Sequence, residues 1–172
     1  MIYRFRVILD NDIDDDVFRD LEIHETDTLE DLHNIITQSF GFDGNEMASF
    51  YVSDKQWNQG EEISLFDLSE DASARLMSET AINEVAHEMQ TKLIYVYDFL
   101  SMWTFFVELA EIVEVSQDVD YPNLMFVHGQ IPDTAPEKAF DIDDDFEDDF
   151  DEFEDDLDIE DYDNLDFDEN WN

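Results

Sequence analysis

Tyr3, Phe5, Val7 and Leu9 alternate with Arg4, Arg6 and Ile8, a period of two that predicts a half-buried strand at the start of the chain. The acid-rich stretch from Asp10 to Asp16 is expected to turn the backbone. Val17 to Ile23 then returns as a second strand, with Arg19, Leu21 and Ile23 on one face and Phe18, Asp20 and Glu22 on the other. The period then changes: Leu29, Leu32, Ile35, Ile36 and Phe40 recur at helical spacing. Thr28 stands where an N-cap belongs, Glu30 and Asp31 complement the positive end of the helix dipole, and Gly41 is placed to stop the helix.

Further along, Ala48 to Val52 reads as a third strand, followed by a loop through Trp57 and Gly60 and a short apolar patch from Ile63 to Leu68. Ile82, Val85, Ala86 and Met89 predict a short helix over residues 80–89. Two stretches, Lys92 to Phe99 and Trp103 to Val115, are rich in β-branched and aromatic residues. They are expected to form the central hairpin of the sheet, and their near-continuous apolar character predicts burial on both faces. Strands mixed with two helices give an α+β fold with a mainly antiparallel sheet.

Charge alters this picture in one region. The 172 residues hold 49 acids against 7 Lys and Arg, a net charge of −42. Residues 141–172 contain 19 of those acids and no Lys or Arg, which leaves 30 acids and all 7 basic residues, a net of −23, in 1–140. The shift falls beside Pro132-Asp133-Thr134-Ala135-Pro136, a stiff, non-helical connector. A domain of residues 1–137 followed by an acidic-aromatic tail, 138–172, is the expected organisation. Neither part can hold a nucleic-acid backbone by neutralising phosphates, so direct nucleic-acid binding is excluded. No run of 18 apolar residues predicts a membrane span, and the N-terminal stretch does not read as a signal peptide. With no cysteine, disulfides and thiolate chemistry are absent and a reducing cytoplasm fits.

Candidate chemistry is sparse. Of the four histidines, His24, His33, His87 and His128, none stands in a HExxH arrangement, and His33, beside the apolar stripe of its helix, reads as a packing histidine. No nucleophile elbow and no glycine-rich phosphate or dinucleotide loop occurs, so neither a cofactor nor a metal is expected. Asp141, Asp143, Asp145 and Glu152 imitate the spacing of a calcium loop, but Phe146 occupies the position where such a loop needs glycine.

The tail's apolar residues are less expected than its acids. Ile142, Phe146, Phe150, Phe153 and Leu157 are spaced as one face of a helix, and Ile159, Tyr162, Leu165, Phe167 and Trp171 continue the apolar content. Phe146, Phe150, Phe153, Leu157 and Trp171 are therefore candidate interaction residues, for docking on a basic, apolar groove of a partner protein or on the chain's own domain. The tail itself is expected to be disordered or conditionally helical, since like charges at neighbouring helix positions oppose an isolated helix.

Several segments resemble a known family. Tyr3-Arg4-Phe5-Arg6-Val7, Thr28-Leu29-Glu30-Asp31-Leu32-His33 leading to Phe40-Gly41-Phe42, Ser49-Phe50-Tyr51-Val52-Ser53, and above all Tyr95-Val96-Tyr97-Asp98-Phe99 followed by Trp103 look like the plasmid pRiA4b ORF-3-like family, also called the insertion-element passenger TnpR family. The resemblance covers roughly residues 1–136. It implies a compact α+β domain with a roll-like sheet, mostly bacterial, and brings no activity with it. Where the family carries Gly-Asp after Tyr-Asp-Phe, and a histidine two residues beyond the Trp, this chain has Leu100, Ser101 and Phe105. Polar hairpin positions have become apolar, which points to packing or docking by Met102, Trp103, Phe105 and Phe106.

A non-enzymatic protein-interaction module is thus the first expectation. The alternative is a small-molecule-binding or hydrolytic domain with a pocket around Tyr97, Asp98 and Trp103, in which Asp98 would be the polar group of an aromatic site and would show perturbed titration.

Overall fold

In the computed structural model, residues 1–11, 16–70 and 72–136 are described. Two antiparallel strands open the chain, β1 (Ile2–Leu9) and β2 (Phe18–His24), followed by the helix α1 (Leu29–Phe40). The sheet continues with β3 (Ala48–Ser53) and β4 (Gln59–Ser64), a 3-10 turn at Met77–Glu79, a one-turn helix α2 (Ile82–Val85), and then β5 (Lys92–Tyr97), β6 (Trp103–Val113) and β7 (Asn123–His128). All seven strands join one antiparallel sheet in the order β4-β3-β5-β6-β1-β2-β7. The architecture is α+β, as the mixture of periods predicts.

Local signals explain α1 fully. Thr28 accepts a hydrogen bond from the Asp31 backbone N–H while the Asp31 carboxylate accepts one from the Thr28 N–H, a reciprocal capping box. Gly41 closes the helix at φ 85°, a conformation that costs a Cβ-bearing residue more. The apolar stripe of α1 then meets one face of the sheet, where Phe5, Val7, Leu21, Ile23, Phe50, Leu93, Tyr95, Phe105 and Val107 are buried with Leu29, Leu32, Ile36 and Phe40 in a single core.

Three expectations need correction. Residues 80–89 do not form one helix: α2 ends at Val85, Ala86 is extended, and His87 and Gln90 exchange backbone bonds in a turn. Ile82, Val85 and Ala86 reach the core, but Met89 points into solvent, so helical spacing there reflects three anchors and one exposed residue. The loop expected through Gly60 is instead part of β4. Gly60 itself lies against β3, where a Cβ would come within 2.7 Å of the Val52 carbonyl oxygen. The central hairpin is buried on both faces only in β5; β6 alternates, with Trp103, Phe105, Val107 and Leu109 inward and Thr104, Phe106 and Glu108 partly exposed.

Opposite α1, the sheet carries polar ladders. Arg4 bonds Glu22 and Glu111, Arg6 makes a bidentate pair with Asp20, and Lys92 pairs with Glu108. Two β-bulges interrupt this face, leaving Ala110 unpaired against β1 and Met125 unpaired against β2.

Candidate functional site

The β5–β6 turn brings the three candidate pocket residues together and uses the polar groups of two of them. Asp98 takes a left-handed conformation at φ 63°, which Asp tolerates better than most residues. Its carboxylate accepts hydrogen bonds from the backbone N–H groups of Leu100 and Ser101 at 3.2 and 3.4 Å, and its carbonyl accepts from Ser101 and Met102. Asp98 thereby holds the turn. Tyr97 accepts a bond from the Gly44 N–H at 3.0 Å and donates its hydroxyl to Asp43 at 3.1 Å. Burial first, and then the bond to Asp43, raise the pKa of Tyr97. Trp103 is buried with its ring centroid 5.2 Å from Phe42, which itself stacks on Tyr97 at 4.6 Å. The resemblance motif Phe40-Gly41-Phe42 therefore supplies the wall against which the hairpin packs. Of the apolar residues in this hairpin, Trp103 and Phe105 belong to the core, Phe106 packs on Trp57, and Met102 and Leu100 are exposed.

One buried polar pair lies behind this wall. His33, 2% exposed, faces Tyr95 with Nδ1 and Oη 2.6 Å apart. Burial drives the imidazole pKa down to about 4 and lifts that of Tyr95 well above the usual phenol range. Both groups are neutral at pH 7 and share one hydrogen bond between the Tyr95 hydroxyl and the ring Nδ1. This is a satisfied packing histidine, as its place beside the helix stripe predicts.

A cavity of about 420 Å³ lies on the opposite face of the sheet between the two bulges, bordered by Arg4, Arg6, Asp20, Glu108, Glu111 and Met125. Its arginines are both paired, as above. Burial tends to raise the pKa of Glu22 nearby, but bonds from Asn123 and Arg4 outweigh it and hold the carboxylate below its ordinary range. Among the described residues no group of three or more His, Asp or Glu side chains is arranged to hold a metal ion, and no helix is long and apolar enough to cross a membrane.

Arg19 was legible as a residue sharing a face with Leu21 and Ile23, and the structure explains why a cation sits there. Its guanidinium, on a side chain 5% exposed, donates to four carbonyls: Phe18, Ser39, His128 and Gly129. The Ser39 carbonyl belongs to the last turn of α1, where a positive charge complements the helix dipole, and the guanidinium also lies 4.4 Å from the centre of the Phe40 ring. Arg19 thus ties α1 to the end of β7. Phe146, Phe150, Phe153, Leu157 and Trp171, the candidate interaction residues, lie outside the described residues, as does the calcium-like spacing at residues 141–152.

The fold and the hairpin motif define the class: an α+β protein built on a seven-stranded antiparallel sheet, with an aromatic hairpin packed under one capped helix. The chain belongs to the plasmid pRiA4b ORF-3-like protein family, whose pattern matches residues 1–170. The match runs well beyond residue 136, so it takes in most of the acidic-aromatic segment. Among solved structures, the crystal structure of a protein of unknown function from Methanosarcina mazei Go1 is similar, at 18% identity and a TM-score of 0.68, covering 90% of this chain and 85% of that one. At that identity the likeness is one of fold. No curated protein matches the chain.

Proposed function

We propose that this protein is an interaction module and not an enzyme, acting through the acidic-aromatic segment 138–172, which docks on a basic, apolar groove of a partner protein or on its own domain. The observation that carries this reading is the interleaving of ten large apolar residues with 19 acids between Asp141 and Asn172. A segment serving only for solubility has no use for that apolar surface, whereas one that orders on binding needs it. The state of the hairpin agrees: Tyr97 and Asp98 spend their polar atoms on Asp43, Gly44 and the turn backbone. The lack of cysteine suits a cytoplasmic setting.

Quantitative affinity capture with the full chain and with its Phe146→Ser/Phe150→Ser/Phe153→Ser variant tests the reading, because the variant keeps every charge. Partners retained by the native chain and lost by the variant are expected. Identical partner sets would overturn the role of the segment.

A further inference from the structure

The sheet has two edge strands, and only one is built to remain an edge. An edge strand presents a row of unpaired N–H and C=O groups, which proteins protect with charge, proline or covering chain. β4 carries Glu61 and Glu62, pairs Glu61 with Arg75, and has the segment at Arg75 and Leu76 bonded alongside Ser64. β7, in contrast, contains no Lys, Arg, Asp, Glu or Pro. Leu124, Met125, Phe126 and Val127 are 39, 44, 52 and 50% exposed. One side of β7 pairs with β2, and among the described residues no strand pairs with the other.

We propose that the outer edge of β7 is a strand-addition site that takes an extended segment of another protein in which apolar residues alternate with Lys or Arg. Backbone pairing along β7 supplies the affinity, and alternate side chains supply the selectivity. On one face the added apolar residues meet an aromatic shelf, formed by Phe126 and His128 against the Phe18 ring at 5.9 and 5.0 Å. Charge selects the partner. Residues 114–136 hold four acids and no Lys or Arg. A second copy of the chain would bring another −42 to the same edge, a repulsion that a basic segment turns into attraction. The proposal rests on residues of β7 and β2 and stands whether or not segment 138–172 has a partner of its own.

The test titrates isotope-labelled full chain, at about physiological salt to screen diffuse attraction, with an end-blocked peptide of eight residues alternating Lys and Val. The controls are the same peptide N-methylated at alternate residues and its Glu-for-Lys counterpart. Amide shifts confined to β7 and β2 are expected, with affinity at least tenfold weaker for both control peptides. The Phe126→Lys chain should lose tenfold for the Lys-Val peptide, with Phe126→Thr as the milder variant if the first folds poorly. Equal binding of the N-methylated peptide would reduce the effect to polyelectrolyte attraction and overturn the proposal. So would shifts confined to 138–172. Dimerisation of the free chain in sedimentation would assign the edge to a second copy, and slow exchange of the outward β7 amides in a monomer would assign it to the chain's own segment; either overturns it.

Discussion

β4 and β7 end the same sheet in opposite ways. β4 is polar outside but anchored inside by Ile63, which is fully buried, whereas the apolar residues of β7 remain in large part exposed and the strand is held by its ladder with β2 and by Arg19. A strand on the edge is thus secured either by its side chains in the core or by polar bonds at its end. Only the first arrangement leaves nothing apolar for a partner.

The sharpest way to break this comparison is truncation of equivalent apolar residues at the two edges. Ile63→Ala should cost about 3 kcal/mol, the range for emptying a packed core site, while Val127→Ala, half exposed, should cost well under 1 kcal/mol. Urea unfolding of both variants measures the difference, and equal losses would mean that β7 is as buried as β4.

A titration addresses the middle of the sheet, which both edges share. His33 has a folded pKa of about 4 against 6.5 in the unfolded chain. As pH falls, the unfolded state takes up the proton first, so the contribution of His33 to stability is complete above pH 6.5. It is lost progressively down to about pH 4, amounting to about 3 kcal/mol. Acidification also protonates carboxylates, so the informative quantity is the difference from His33→Gln. That difference should move in favour of the variant by this amount between pH 7 and pH 4. A flat difference would show that His33 is accessible to protons in the folded state.

The smallest effect concerns the β7 end. Arg19→Met leaves four carbonyls without their shared donor, at a cost of about 2 kcal/mol, and should accelerate hydrogen exchange in β7 more than in β4. Uniform acceleration would show that Arg19 supports the whole core and not this edge.

Residue pattern made much of the fold legible. β1, β2, α1 and β6 are visible because each has one buried face that imposes a period, β3 and β5 because burial makes them runs of apolar and aromatic residues, and α1 also carries its own start and stop at Thr28 and Gly41. β4 and β7 escaped for complementary reasons. Gln59-Gly60-Glu61-Glu62 shows no apolar alternation, since in this strand only Ile63 is buried and Ser64 half-buried. Leu124-Met125-Phe126-Val127 shows apolar residues in succession, because a strand at an edge, with a bulge at Met125, is exposed on both faces. Tyr97 and Trp103 are strand partners across the hairpin, beside Asp98 in its turn. The hydrogen bonds of Tyr97 and the ring contacts of Tyr97 and Trp103 were not legible, because Asp43, Gly44 and Phe42 reach them from a loop more than 50 positions away in sequence.

By itself, the order of apolar and polar residues determined the fold class, the capped helix, the concentration of charge towards the C-terminus and the family resemblance, all of which depend on composition or on neighbours within a few positions. Tertiary structure decided which strands lie at the edges, which cations are already paired, and that Arg19 joins the end of a helix to the end of the last strand. Those outcomes depend on contacts between residues 14 to 110 positions apart, and the energy of such a contact is set by burial and by the partners available, neither of which a local pattern records.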